Sequence, residues 1–498
     1  MEIFRLTAAS LLLGLLLLSG CSLTPTMQAP EAEQDLPKTF APPPGDTTLP
    51  AAAADTARLD AQQWWTAFDD TSLTTLVDTA LAANFDLQST RARVEELAAQ
   101  FRIARAPLFP SVNAGGDANY QNQPANTGIG GAIGGGGGQF PDRFSFTTYQ
   151  ATLGVSYELD FWGRVRSQRK AALSQYFATA ADLQTARISV VSQTISTYFQ
   201  IASLRRQVEL GRRGIDVLEQ RLAITEDRYA RGLASSFQVT SLRQSLEAAR
   251  SEQPQLESEL YDARSRLAVL LGRFAGNQGA LLPDSIRGGP ALSSVPAGLP
   301  ADLLMQRPDV RAGALRLEAA RQQIGVARAE MLPSLSLTGT GGTQSSALAS
   351  LVDLDQRFAN FAAQLTAPLF QGGRLRANLD AAQARYKQQA ATYQSTVLTA
   401  FREVKAGLVA YEKQKERYRF LQEQVAAARA SFQTQRDRYE RGIGDVLARL
   451  DAERSLVQAQ TRLAAARLAV VNARLALHRA LGGPWTNAPA PDDPRLFQ

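Results

Sequence analysis

The chain has 498 residues, 53 basic and 47 acidic, for a formal charge of +6, with one cysteine and one histidine. The basic residues are scattered among acidic ones, as on solvated helix faces, which argues against a nucleic-acid-binding stripe. One cysteine excludes an intrachain disulfide. Past the N-terminus no run of about eighteen apolar residues offers a transmembrane helix.

Residues 1–20 read as an export signal: Arg5, an apolar core at 11–18, then Leu18-Ser19-Gly20-Cys21. That ending resembles a bacterial lipobox, which makes Cys21 the expected lipidation site; the plainer alternative is an incidental signal-peptide cysteine. Ser22 follows, so the aspartate that retains such lipoproteins at the inner membrane is absent. Residues 21–60, rich in Pro, Ala and Thr, read as an extended lead from the anchor.

Two like halves follow, 61–272 and 299–482, joined by a linker at 273–298 and ended by a tail at 483–498. Gly163-Arg164-Val165-Arg166 returns 210 residues later as Gly373-Arg374-Leu375-Arg376. Asp227-Arg228-Tyr229 returns as Asp437-Arg438-Tyr439, and Leu271-Gly272 as Leu481-Gly482, at the same offset. Packed helices demand such constancy, because one inserted residue turns every later side chain by about 100°. Upstream, Pro110-Ser111 matches Pro333-Ser334 at an offset of 223. The extra length falls around residues 128–138, a run of nearly pure glycine that reads as a mobile loop. It lacks the strand-and-helix setting of a phosphate site.

Within each half, period-two segments precede long helices. Val112, Ala114 and Tyr120 give a faint first strand, and Leu153, Val155, Tyr157 and Leu159 a clear second. Leu335 and Leu337 mark the third, and Phe361, Ala363, Leu365 and Ala367 the fourth. The expected hairpins are 112–160 and 333–370. Helices over 163–229 and 373–439 would each be about 100 Å long. Arg231-Gly232 and Arg441-Gly442 close them as left-handed caps. The returning helices carry heptads. In 442–481, Ala452, Ala459, Ala466, Ala473 and Ala480 alternate with Leu456, Leu463, Val470 and Leu477. In 232–271, Gln253 interrupts the matching row and Pro254 is expected to kink or break the helix. Four strands cannot close a barrel, and an open sheet in lipid leaves unpaired edges at several kcal/mol per group, so membrane-spanning strands would require copies to pool them.

Several motifs now identify a resemblance: Trp64-Trp65 through Phe68-Asp69; Tyr157-Glu158-Leu159-Asp160-Phe161-Trp162-Gly163-Arg164; Arg307-Pro308-Asp309; and Pro368-Leu369-Phe370-Gln371-Gly372-Gly373-Arg374. Together they resemble the TolC-like outer membrane factors, in the lipoprotein branch serving RND-type multidrug efflux systems. The resemblance implies a mixed α and β membrane protein. Its homotrimer would build a twelve-stranded outer-membrane β-barrel, four strands per chain, continued by a periplasmic α-helical barrel. A belt from residues 64–90, 274–304 and the tail would ring the waist. The implied function is passive conduction of drugs or other small molecules, with a periplasmic adaptor and an inner-membrane RND-type pump as partners.

By the same resemblance Leu447, Asp451 and Arg454 form a pore gate, with Asp451 and Arg454 able to pair at i, i+3. Arg231, Gly232, Leu233, Arg441, Gly442 and Ile443 form the tip that docks the adaptor. No catalytic group, cofactor or metal is expected, and His478 reads as a packing or surface residue. The rival readings are a type I protein-secretion duct and, in a different class, a structural trimeric coiled-coil surface lipoprotein.

Overall fold

A computed structural model describes residues 23–25, 64–124, 143–274 and 307–482. The export signal, Cys21, the glycine-rich loop, most of the linker and the tail lie outside the described residues. Among the described residues no helix is long and apolar enough to cross a membrane.

The elements run α1 (Thr71–Ala83), α2 (Phe85–Arg105), β1 (Ser111–Pro124), β2 (Arg143–Leu159), α3 (Arg164–Ala230), α4 (Ser236–Leu270), α5 (Pro308–Ala329), β3 (Ser334–Ser345), β4 (Arg357–Thr366), α6 (Arg374–Glu440) and α7 (Val446–Ala480). Helices α3 and α6 each have 67 residues, and α4 and α7 each have 35. Their bounds are related by the 210-residue offset read above.

The chain divides into two units. The first holds residues 96–176 and 315–390 with the N-terminal segment. Its strands form one antiparallel sheet in the order β1-β2-β3-β4. Val112 faces Val155, Leu153 faces Gly341, Leu337 faces Ala363, and Leu335 faces Leu365. Below the sheet, Ile324 and Ala327 of α5 bury against Ala382 of α6.

The second unit holds residues 29–95, 177–314 and 391–498. Its main core starts at a short turn of helix, Trp64–Phe68. Trp64, Trp65, Phe68, Leu73 and Val77 bury against Ile195, Tyr198 and Phe199 of α3, Leu267 of α4 and Val471 and Leu475 of α7. Asp70 fixes this join twice. Its carboxylate accepts from the amides of Ser72 and Leu73, capping α1, and from Tyr198 Oη at 2.7 Å. Burial, and then that bond, push the Tyr198 phenol above its ordinary range. Asn84 likewise accepts from Leu87 N and donates to Leu270 O at 3.1 Å.

The heptad rows of α7 lie inward: Ala452, Ala459, Ala466, Ala480, Leu456, Val470 and Leu477 are all buried. Helix α4 runs on from Ser236 to Leu270 with Pro254 inside it, so of the two expected effects, a kink or a break, the break does not occur. Gln253, the odd residue in the row, reaches across to Val208 O of α3. A β-carbon at Gly211 would lie 2.5 Å from its Oε1, so the glycine on α3 makes room for the amide.

Candidate conduction surface and gate

The register sorts the sheet residues onto two unlike faces. One carries Val112, Ala114, Ala118 and Tyr120, with Leu153, Val155 and Tyr157, Leu335 and Leu337, and Phe361 and Leu365. The other carries Asn113, Asp117, Asn119 and Gln121, with Thr148, Gln150 and Thr152, Thr338 and Thr340, and Asn360 and Gln364, and has Phe146 and Phe358 toward the hairpin ends. The apolar face is not packed on a core: Tyr120 is 65 % exposed and Phe361 89 %. A soluble sheet hides that face; a membrane strand turns it to lipid and its polar face to water. Among the described residues both outer edges, on β1 and β4, lack a partner strand.

Where strands meet helices, large apolar side chains collect. Phe109, Trp162, Met331, Leu369 and Phe370 are all exposed. Trp162 Nε1 donates to Pro333 O at 2.7 Å, and the Arg105 guanidinium sits 5.6 Å from the Phe109 ring. Aromatic rings with one polar attachment suit a membrane–water interface. In the same unit α2, α3, α5 and α6 line an open hollow of about 920 Å³. Six glutamines, among them Gln100 and Gln323, line it with Arg316 and Arg385 and no carboxylate.

In the second unit, α3 lies between α4 and α7 and is ion-paired to both. Arg212, Glu219 and Glu226 pair with Glu257, Arg250 and Arg243 of α4 at 2.7–2.8 Å. On the other side Arg213 pairs with Glu453 at 2.8 Å, Arg221 with Asp451, and Arg228 with Asp445 at 3.1 Å. Asp445 also caps α7 by accepting from Leu447 N.

The structure therefore corrects one expected contact. Asp451 pairs across to Arg221 of α3 instead of along its own helix to Arg454. Burial, and then the Arg454 charge, hold the Arg221 guanidinium below its ordinary range. Arg454 is thus a like-charged neighbour of the pair, and its Nε is buried without a hydrogen-bond partner. Leu447 is half-buried in the first turn of α7. Arg221, Arg228 and Asp445 were not singled out from sequence. Their partners are more than 200 residues away, so no local spacing reveals them.

The tip turns are built alike. Gly232 has φ +75° and Gly442 φ +71°. Leu233 N donates to Arg228 O at 2.8 Å, and Ile443 N to Arg438 O at 3.0 Å, closing the last helical turns as the glycine cap requires. Leu233 and Ile443 are left 74 % and 67 % exposed. Arg231 folds back on Asp227 at 2.9 Å.

His478 is a packing residue. Its ring stacks on Trp64 with centroids 4.6 Å apart and an 18° interplanar angle. Burial, helped by the Arg474 charge, lowers its pKa to about 4. Unfolded histidine titrates near 6.5, so between those values the unfolded chain binds a proton that the folded chain refuses. This contribution to stability is full above about pH 6.5 and is lost as pH falls toward 4, by up to about 3 kcal/mol. Denaturation midpoints at pH 7 and pH 4.5 should differ less for His478→Gln than for the wild type; equal differences would show that this histidine does not set the slope.

Comparison with known proteins agrees with this geometry. The profile of the family "Outer membrane efflux protein" matches residues 76–273 and 299–483. The antibiotic efflux pump outer membrane protein ArpC of Pseudomonas putida is 34 % identical over 477 residues, 96 % of this chain and 95 % of its own. The outer membrane protein OprJ of Pseudomonas aeruginosa is 34 % identical over 480 residues, with 96 % and 95 % covered. The open-state crystal structure of the MtrE outer membrane channel of Neisseria gonorrhoeae superposes with a TM-score of 0.75 at 29 % identity, covering 93 % of this chain and 99 % of that one. The chain belongs to the outer membrane efflux protein family.

Proposed function

We propose that three copies of this chain form the exit duct of a tripartite efflux pump, with β4 of each copy paired to β1 of the next in a twelve-stranded barrel. The observation that carries the reading is the sheet with one mainly apolar face, one mainly polar face and two edges unpaired among the described residues. Closure satisfies both edges, turns the apolar face to lipid and leaves a polar lumen. The internal repeat then gives the trimer six similar wall segments, which the equal lengths of α3 and α6 support. The amide-lined hollow continues a water-filled path without fixed negative charge. Conduction is passive; antibiotics or other small molecules arrive from a periplasmic adaptor and an inner-membrane pump. Cys21 carries the lipid. Native mass measurement of the detergent-purified protein should give three chains per particle, and planar bilayers should show channels; a monodisperse single chain would end this reading.

The paired tips dock the adaptor. Nothing lies within 4 Å of a β-carbon added at Gly232 or Gly442, so larger residues meet only the cost of a positive φ, about 1 kcal/mol. Gly232→Leu with Gly442→Leu should leave trimers intact yet abolish drug resistance. Unchanged inhibitory concentrations in that variant would remove the tips from docking.

A further inference from the structure

The two helical hairpins are copies that differ at the charges joining their helices. In the first, Arg212, Glu219 and Glu226 of α3 meet Glu257, Arg250 and Arg243 of α4. These ion pairs recur every seven residues on both helices, as the flanking charges of a coiled coil do. The 210-residue offset carries the same positions to Gln422, Arg429 and Arg436 of α6 and to Arg467, Gln460 and Glu453 of α7. Two of these rungs, Gln422 with Arg467 and Arg429 with Gln460, therefore contain no carboxylate. The third is diverted. Glu453 pairs with Arg213 of α3 at 2.8 Å, and Arg436 turns to Asp437 and Glu440 on its own helix.

A groove of about 510 Å³ lies at those two rungs, lined by α3, α6 and α7. Arg429, Gln460 and Arg467 border it, and α3 adds Arg205, Arg206 and Glu209. Among the described residues of the lining, four guanidiniums thus share one carboxylate. Arg206 already engages that carboxylate at 2.7 Å and reaches Gln460 Oε1 at 3.5 Å. Arg429 forms no hydrogen bond or ion pair with any described residue. Between the charges the wall is apolar. Phe199 and Val425 are buried in it, and Leu463 and Leu468 pack against the cores beneath. A low-dielectric wall concentrates the field of the arginines in the groove, and the volume is that of a small-molecule site.

We propose that this groove binds an organic anion, a single carboxylate or sulfonate on a flat apolar body. Its charge takes the place of the glutamates that the first hairpin has at these rungs and the second lacks, and a guanidinium fork suits either anionic group. Its body covers the apolar wall. A bare ion such as phosphate meets only the first of these requirements. The occupant joins α6 to α7 and α3 at the two rungs that contain no carboxylate of their own.

The test uses the full chain in lipid nanodiscs and equilibrium dialysis of naphthoate, with binding to empty nanodiscs subtracted. Naphthoate should bind saturably, one per chain, and at least about tenfold more tightly than the neutral naphthamide, as expected for even one hydrogen bond to a charged group. It should also bind more tightly than inorganic phosphate. Arg429→Gln should weaken naphthoate binding by at least about tenfold on the same ground. Gln422→Glu with Gln460→Glu restores both rungs and should weaken it as much, with melting temperatures showing that each variant is folded. Equal affinity for the amide, or unchanged binding in either folded variant, would overturn the anion site. Phosphate bound as tightly as naphthoate would overturn the apolar half of the ligand. Absence of saturable binding to the wild-type protein would end the proposal, and that comparison needs no variant.

Discussion

Arg307→Ala should lower the stability of the protein by about 2–4 kcal/mol, the largest single-residue effect expected outside the apolar core. Arg307 is 6 % exposed and makes four bonds. Its Nε and Nη2 fork onto Asp309 at 3.0 and 2.7 Å, Nη2 also reaches Glu403 at 3.0 Å, and Nη1 donates to Ala480 O at 2.6 Å. One guanidinium thus joins the start of α5, the middle of α6 and the last residue of α7, where the carbonyl end of the helix favours a cation. Burial opposes the charge, but Asp309 and Glu403 together hold the guanidinium above its ordinary range.

Breaking a buried pair costs roughly 3–5 kcal/mol, because the partners stay behind uncompensated. Here the Asp309 and Glu403 side chains are 35 % and 39 % exposed, so water recovers part of that. Arg307→Lys should fall between, since an ammonium cannot fork onto a carboxylate and reach a third acceptor. Denaturant midpoints of the three proteins would check the order. A loss under about 1 kcal/mol for the alanine variant would mean that the three helices are held without this residue.

Much of this was legible in the sequence for physical reasons. A register constant over 210 residues is what long packed helices require, and α3, α4, α6 and α7 follow it. Alternation located all four strands, although β1 and β3 run on through glycines that carry no hydropathy signal, such as Gly115, Gly116, Gly341 and Gly342. The Arg307-Pro308-Asp309 motif could be read only as a resemblance. Its physical role depends on Glu403 and Ala480, which sequence does not bring near it. The same limit hid the α3–α7 ion pairs. Spacing proposed Asp451 with Arg454 because i, i+3 and i, i+4 are the neighbour relations that a single helix displays. The partner that folding supplies lies on another helix. Gln253 shows the reverse case: a break in the heptad pattern that the structure answers with a glycine on the facing helix.

The corrected pairing changes what the proposed gate should do. With Asp451 bonded to Arg454, removing either would loosen the tip alike. With Asp451 bonded to Arg221 and Arg454 beside them as a second cation, the substitutions should have opposite signs. Asp451→Ala leaves two guanidiniums facing each other between α3 and α7, and their repulsion favours separation of the hairpins. Arg221→Ala removes the same tie without leaving that repulsion and should act in the same direction more weakly. Arg454→Ala takes away the like charge and should hold the closed form at least as firmly as the wild type. The Arg221 and Asp451 side chains are 22 % and 44 % exposed, so the tie is worth about 1 kcal/mol. That corresponds to roughly a fivefold rise in open-state population for Asp451→Ala. Open probability in planar bilayers measures it directly, and the difference between Asp451→Ala and wild type should shrink in molar salt as screening shortens the Debye length to about 3 Å. If Arg454→Ala opens the channel as much as Asp451→Ala, the two residues act as one pair, and the cross-helix tie is not what keeps the tip shut.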